Sequence, residues 1–456
     1  MAKYGLIGRD LSHSQSRLLH SYLGSYDYDY IEVADASGLK AVLEDKSYDG
    51  FNVTIPYKQE VMKYLDELSP RAEAAKAVNT VRRMPDGRLM GFNTDVRGFK
   101  RMLGDKAKDA KCLILGTGGA AGAVAIALEE IGAKSIVFVS RDPASGRERT
   151  GGRHRVISYN ALPHYFDTDI IINATPVGQL PDIDRSPLNE MGKNVSIFTD
   201  LKYAVDLIYN PFRTKFLQDS KRITGCKTMS GLEMLIYQAM DSRDCWHGRK
   251  SIRIDERILV KRIKRHILNK QLNIVAVGMP GSGKTTIFRR YAYENHFDFV
   301  DVDAETEGIM GARISDVLGD AEKGEQYFRE KESEAVRKVS RLTNTVIATG
   351  GGSILNPLNR DMLRANGVVI YVKRPLEYLS TRNRPISQKI GVLELFTERD
   401  RIYRRMSDIS VYNTKAFGGE GEDNAREFNR DMRKYADYIG RCVEKYLTGV
   451  AENKWT

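Results

Sequence analysis

Residues 275–286, VAVGMPGSGKTT, dictate the architecture around them. A G-x-x-x-x-G-K-[ST] run cradles phosphate only if an apolar strand leads in and a helix leads out. Backbone N–H groups then converge on the anion. Gly281, Ser282 and Gly283 supply those groups, Lys284 reaches the outer phosphates, and Thr285 offers a hydroxyl to Mg²⁺. Thr286 completes the nucleotide-binding set. The run predicts a parallel α/β unit that binds ATP or GTP and leaves the acceptor open.

The loop begins beyond residue 270 of 456, which leaves room ahead of it for one or two domains of about 100–200 residues. Strand–turn units recur throughout, at 112–123 (CLILGTGGAAGA), 135–142 (SIVFVSRD), 169–178 (DIIINATPVG), 345–353 (TVIATGGGS) and 367–374 (GVVIYVKR). The expected fold class is α/β throughout. An N-terminal lobe over 1–103 is completed by helices near 230–268, a dinucleotide-type unit covers 104–230, and the P-loop unit covers 272–456.

The net charge of +11 is densest in 253–270, RIDERILVKRIKRHILNK. Ile254, Ile258, Ile263 and Ile267 recur there at helical spacing, so the basic residues are expected on the outer face of an amphipathic helix. No nucleic-acid motif accompanies them, and small anionic ligands are the expected partners. No apolar run approaches the ~20 residues that span a bilayer, and no leader segment opens the chain. Cys112, Cys226, Cys245 and Cys442 are scattered without metal spacing. Together these predict a cytoplasmic protein with free thiols and no membrane partner. The polar stretch 413–425 reads as a loop before a last helix whose inner face is Phe428, Met432, Ile439 and Cys442.

An acceptor site needs more than the phosphate loop. FVDVD (299–303) reads as a strand whose two aspartates share one edge, one for magnesium and one for a substrate hydroxyl. Arg329 lies in a charged helix, GGG (350–352) offers bare backbone after a strand, and Arg384 and Arg399 add guanidinium groups near a lid. In this order the motifs resemble shikimate kinase over 272–456. The resemblance implies that Asp303 binds the ring hydroxyls and accepts the proton of the attacking one, and that Asp301 joins Thr285 in holding Mg²⁺. It further implies that Arg329, Arg399, Gly351 and Gly352 hold the carboxylate and ring, with Arg384 on the phosphates. The chain departs from the family in a short lid and in Asp400-Arg401-Ile402 ahead of Tyr403.

In the first half, Gly116-Thr-Gly118-Gly119-Ala120-Ala121 follows one strand and opens a helix, as a dinucleotide fingerprint does. At the end of the next strand, Arg141 suits a 2′-phosphate and NADP, whereas Asp142 suits ribose hydroxyls and NAD. HSQS (13–16), NVTIPYK (52–58), AVNT (77–80) and GFNTD (91–95) place serines, asparagines and a lysine at turns and strand ends. Lys58 beside Asp95 would donate a proton to a developing alkoxide and take one back in reverse.

With NATPVG (173–178) and GLEMLIYQA (231–239), these segments resemble shikimate dehydrogenase over about 1–270. The resemblance implies a catalytic pair of Lys58 and Asp95. Ser14 and Ser16 would bind the substrate carboxylate, and Asn52, Thr54, Asn79 and Gln238 the ring hydroxyls, with Tyr203 of DLKY in the same cleft. Arg17 and Gln179 depart from the family pattern. The two resemblances name consecutive steps: NADPH-dependent reduction of 3-dehydroshikimate to shikimate, then phosphorylation of shikimate by ATP. An NAD-dependent quinate/shikimate oxidoreductase and a non-catalytic sensor of the same ligands are the alternatives.

Overall fold

The computed structural model describes residues 2–12, 14–248, 255–319, 324–379, 385–413 and 422–453. Three sheets follow one another along the chain. The first has strands in the order Asp27–Glu32, Lys3–Gly8, Gly50–Val53, Thr80–Arg83, Leu89–Phe92 and Glu67–Leu68. It is parallel around Lys3–Gly8 and antiparallel around Thr80–Arg83. Ile7, Phe51, Val61, Val78 and Val81 are completely buried on one face of it.

The second sheet is wholly parallel, in the order Arg155–Ser158, Ser135–Ser140, Lys111–Leu115, Ile170–Asn173, Tyr203–Asp206 and Lys227–Met229. Counted along the chain this is 3-2-1-4-5-6, the doubly wound order whose reversal point opens a ligand crevice. Residues 116–118 form the glycine turn leaving the strand at that point. Helices cover both faces, so the strand interiors are continuous apolar runs rather than alternating ones. The third sheet is also parallel, in the order Asp298–Asp301, Thr345–Ala348, Asn273–Val277, Gly367–Lys373 and Ile409–Tyr412.

One apolar core runs from the first half of the chain into the second. Leu232, Ile236 and Met240 of helix Leu232–His247 pack with Leu259, Ile263 and Ile267 of helix Glu256–Gln271. The same cluster takes in Ile274 and Val368 of the third sheet and Ile439 and Leu447 of helix Glu422–Ala451. Helix Glu256–Gln271 is amphipathic as expected: Arg257, Lys261, Arg262, Arg265 and Lys270 are exposed, while Leu259, Val260, Ile263, Ile267 and Leu268 are buried. Ile258, expected on its inner stripe, is 61% exposed, and Ile254 lies outside the described residues. A five-residue step from Ile258 to Ile263 is not a helical repeat; Leu259, Ile263 and Ile267 at i, i+4 and i+8 are. Lys264, expected on a solvated face, is 4% exposed and donates to Glu233 at 2.7 Å and Asn453 at 2.6 Å.

On the last helix Met432 and Ile439 are buried as expected, but Cys442 is only half-buried, and Val443, Leu447 and Val450 carry the rest of the face. The side chain of Phe428 lies outside the described residues. Among the described residues no helix is long and apolar enough to cross a membrane.

Candidate active sites

Lys58 and Asp95 meet in the first half of the chain. Lys58 Nζ donates to Asp95 Oδ2 at 2.6 Å, and Asp95 is 5% exposed. Local structure explains the placement. Asn93 caps helix Thr94–Leu103 by accepting from the Val96 N–H, which puts Asp95 in the first turn, at the positive end of the helix dipole. Gly98 lets that helix touch its neighbour, since a Cβ there would lie 2.9 Å from the Met234 carbonyl oxygen.

Asn79 Nδ2 donates to the second Asp95 oxygen at 2.9 Å and to Gln238 at 3.3 Å. Asn52, 6% exposed, donates to Ser242 and accepts from the Tyr28 hydroxyl. Thr54 follows on the same strand end, half-buried, with its N–H on the Ile7 carbonyl. Ser14 and Ser16 form the turn into helix Ser16–Leu23, where the Ser14 hydroxyl accepts from the Ser16 N–H. Arg17 donates to the Tyr28 carbonyl and lies over the Tyr30 ring, so it braces this turn.

The glycine turn approaches the same lysine. A Cβ on Gly119 would lie 3.4 Å from Ala77 Cβ and 4.0 Å from Lys58 Cβ. Gly116 has φ +103 and no room for a side chain, with Thr175 at 2.9 Å and the Ala174 carbonyl at 3.3 Å. Gly118 caps helix Gly119–Ile131, in whose first turn Ala120 lies, without a side-chain acceptor and with open space around it. That leaves the first N–H groups of the helix facing open space, which fits a pyrophosphate. Arg141 is exposed just beyond the next strand. Asp142 is occupied otherwise, capping helix Pro143–Thr150 by accepting from Ala144 and Ser145. Arg149, which the sequence reading passed over, donates from Nε to Thr117 inside the glycine turn at 3.2 Å.

A second site opens over the phosphate loop as a cavity of about 840 Å³ lined by Lys284, Asp303, Arg329, Gly351, Gly352 and Arg399, among others. Gly281 and Gly283 adopt φ +83 and +87. Gly283 caps helix Lys284–Glu294 with no side-chain acceptor, Thr286 is exposed on its first turn, and the Ser282 hydroxyl is buried without a hydrogen-bond partner. These features fit a phosphate chain. Thr285 donates to Asp301 at 3.0 Å, an all-oxygen pair suited to Mg²⁺.

The aspartates do not share a strand edge as read from the sequence. Strand Asp298–Asp301 ends at the first, which caps helix Val302–Met310, and Asp303 lies in that helix's first turn. Asp303 is exposed at the mouth of this cavity, and desolvation by the cleft walls, with repulsion from Asp301 and Glu332, raises its carboxyl to about 6 against the pull of Lys284.

The three glycines explain themselves here. A Cβ on Gly350 would lie 2.4 Å from Asp303, on Gly351 2.6 Å from Pro280, and on Gly352 2.4 Å from Arg329. Glu332, given no role by sequence, is 2% exposed; it accepts from Arg329 at 2.8 Å and from Ser353 at 2.6 Å. Tyr403 donates to the Gly351 carbonyl at 2.5 Å, and Asp400 accepts from Tyr371 at 2.8 Å, so the departure ahead of Tyr403 is built into the core. Arg399 is 3% exposed and borders the cavity. Arg384 lies outside the described residues.

Tyr203 is not brought to the first cleft. It begins strand Tyr203–Asp206, in register with Ile170 and Lys227, at the end of the sheet away from the crevice. Tyr209 is the tyrosine that reaches the serine turn, lying against the Gln15 backbone and Tyr30, where burial pushes its hydroxyl up to about 12. The chain holds DLKY at 200–203 and DLIY at 206–209, and the motif alone does not separate the two tyrosines. Asp206, wholly buried, accepts from Thr214, Asn173 and the Ile208 N–H, and so fixes the turn that carries Tyr209.

Comparison with known proteins separates the same two halves. Residues 6–81 match the family model for the shikimate dehydrogenase substrate binding domain, and residues 280–424 match the shikimate kinase model. The chain is 38% identical over 264 residues to the shikimate dehydrogenase (NADP(+)) of Caldicellulosiruptor bescii, spanning 54% of this chain and 89% of that one. It is 35% identical to the protein of that name from Methanococcus maripaludis, spanning 54% and 92%. Among solved structures it resembles a chorismate mutase/shikimate 5-dehydrogenase fusion protein from Clostridium acetobutylicum at 39% identity and a TM-score of 0.52, covering 58% of this chain and 96% of that one. The chain belongs to the shikimate dehydrogenase family and carries a shikimate kinase domain in the same polypeptide, making it a bifunctional oxidoreductase and phosphotransferase of the shikimate pathway.

Proposed function

We propose that the first half reduces 3-dehydroshikimate to shikimate with NADPH, and that the second transfers the γ-phosphoryl group of ATP to the 3-hydroxyl of shikimate. The observation that carries the reading is the 2.6 Å Lys58–Asp95 pair standing against the start of the glycine-turn helix. A proton donor and a dinucleotide turn meet there and nowhere else among the described residues. Gly116, Gly118, Gly119 and Ala120 would hold the dinucleotide, which when bound would supply hydride for the carbonyl carbon. Lys58 donates a proton from Nζ to the carbonyl oxygen, and Asp95 holds Lys58 in place while Asn79 fixes Asp95. Ser14, Ser16 and Tyr209 face the substrate carboxylate. Asn52, Thr54, Asn79 and Gln238 take the ring hydroxyls.

In the second cleft Mg²⁺ and ATP supply the charge-neutralised phosphoryl donor. Asp303 accepts the proton of the attacking hydroxyl, which suits a carboxyl titrating near neutrality. Arg329 and Arg399 clamp the carboxylate, and Lys284 stabilises charge on the transferred group. Asp142 is committed to a helix cap, which favours Arg141 and a 2′-phosphate, hence NADP over NAD. The division into a substrate lobe (1–103 with helices near 230–268), a dinucleotide unit (104–230) and a kinase unit (272–456) follows the same reading.

The test is mass-spectrometric analysis after supplying 3-dehydroshikimate, NADPH, ATP and Mg²⁺ together. Shikimate 3-phosphate is the expected end product. Binding of the ligands with no turnover would instead identify a sensor.

A further inference from the structure

A cavity of about 860 Å³ separate from both clefts lies between the second and third sheets' units. Helix Lys215–Thr224 and strand Lys227–Met229 wall it on one side. Helix Pro357–Ala365 and the end of helix Val392–Met406 wall it on the other. Three carboxylates line it, and all are taken. Asp408 accepts both guanidinium nitrogens of Arg213, Asp361 accepts from Arg222, and Glu233 accepts from Lys264.

Lys221, Lys227, Arg364 and Arg405 also line the cavity, and among the described residues no carboxylate pairs with any of them. Arg364 Nε is buried without a hydrogen-bond partner. Burial and the neighbouring Arg213 hold its pKa down, against the pull of Asp408 and Asp361. Phe212, Tyr203 and Met229 add apolar wall beside these cations. Cationic forks next to apolar surface, in a cleft between units, are the chemistry that recognises a phosphate carried on a small organic body.

We propose that this inter-unit cavity is a binding site for a small organic phosphate, anchored by Arg364 and closed over by Lys221 and Arg405. The site touches both halves of the chain. Arg405 also stands six residues beyond Arg399 on helix Val392–Met406, so an occupant is placed to act on the helix that carries a kinase substrate residue.

The probe is inorganic pyrophosphate, measured by equilibrium dialysis against the full chain. Saturating NADP⁺, shikimate, Mg²⁺ and a non-hydrolysable ATP analogue keep both described clefts filled. One further pyrophosphate per chain is expected. Lys221→Ala/Arg405→Ala should weaken it about tenfold or more, as loss of charge-assisted hydrogen bonds does. Both residues are exposed and lie outside the two clefts, so turnover with basal substrates should be unchanged. Arg364→Gln should abolish the binding. No bound pyrophosphate beyond the filled clefts, or binding indifferent to the double variant, would overturn the proposal. Displacement by shikimate 3-phosphate would identify the kinase product as occupant. No displacement by it would refute an organic phosphate of this kind.

Discussion

Gly352→Ala places a methyl carbon 2.4 Å from Arg329 Nη1 and 2.8 Å from its Cζ. Contacts that short do not persist, so the flexible arginine swings away from the cleft. The backbone is not strained, because Gly352 is not among the residues with positive φ. Glu332 loses its 2.8 Å partner but keeps the Ser353 hydroxyl at 2.6 Å. The fold should survive, at a cost of roughly 3 kcal/mol for a carboxylate 2% exposed that loses its guanidinium. Catalysis should not. A guanidinium lost from a substrate carboxylate costs about 1.5–3 kcal/mol, and about 1.4 kcal/mol is tenfold. The kinase KM for shikimate should therefore rise about 10- to 150-fold. Steady-state kinetics of both activities on one preparation, with a thermal melt, is the assay. Dehydrogenase turnover should be unaffected. An unchanged kinase KM, or an equal fall in both activities, would refute the reasoning.

Lys58→Ala should cut ketone reduction by about 10²–10⁴-fold while leaving phosphorylation of added shikimate intact, and Lys284→Ala should do the reverse; separate assays of each step check this. Asp303 titrates near 6 in the folded chain against an ordinary 3.8, and it accepts a proton only when ionised. Kinase kcat/KM should thus fall as pH drops through about 6. The same raised value means that folded protein holds this proton more tightly, so this group's contribution to stability falls as pH rises from about 4 through about 6. Asp303→Asn should abolish the acid limb with the activity. Arg213→Ala strands Asp408, 9% exposed at its side chain, beside Tyr446 and the Val369 N–H, and should cost roughly 3 kcal/mol in denaturant unfolding.

The parts legible in the sequence were those in which local chemistry leaves one solution. A phosphate loop demands its strand and helix, and a fingerprint glycine such as Gly116 demands open backbone beside a neighbouring strand. Lys58 and Asp95 were legible only as members of spaced motifs, since 37 residues separate them and a capped helix start brings them together. What was not legible depended on tertiary neighbours. Tyr203 and Tyr209 follow identical D-L-x-Y spacing, and only the strand's direction decides which one reaches the cleft. Ile258 is exposed because a five-residue step to Ile263 is not a helical repeat, and the buried stripe runs through Leu259 instead. Glu332 carried no signal of its own, because its role lies in holding Arg329 and Ser353. The pairing of Arg213 with Asp408 spans 195 residues and left no local trace.

The central claim is that one polypeptide builds two pockets for the same carboxylated ring. Titration calorimetry of shikimate into the full chain, with NADP⁺, ADP and Mg²⁺ present, tests it most directly. Two shikimates per chain are predicted, one lost in a variant altered at Ser14, Ser16 and Asn52 and the other in Arg329→Ala/Arg399→Ala. A stoichiometry of one or none, or a single variant that removes both, would contradict it.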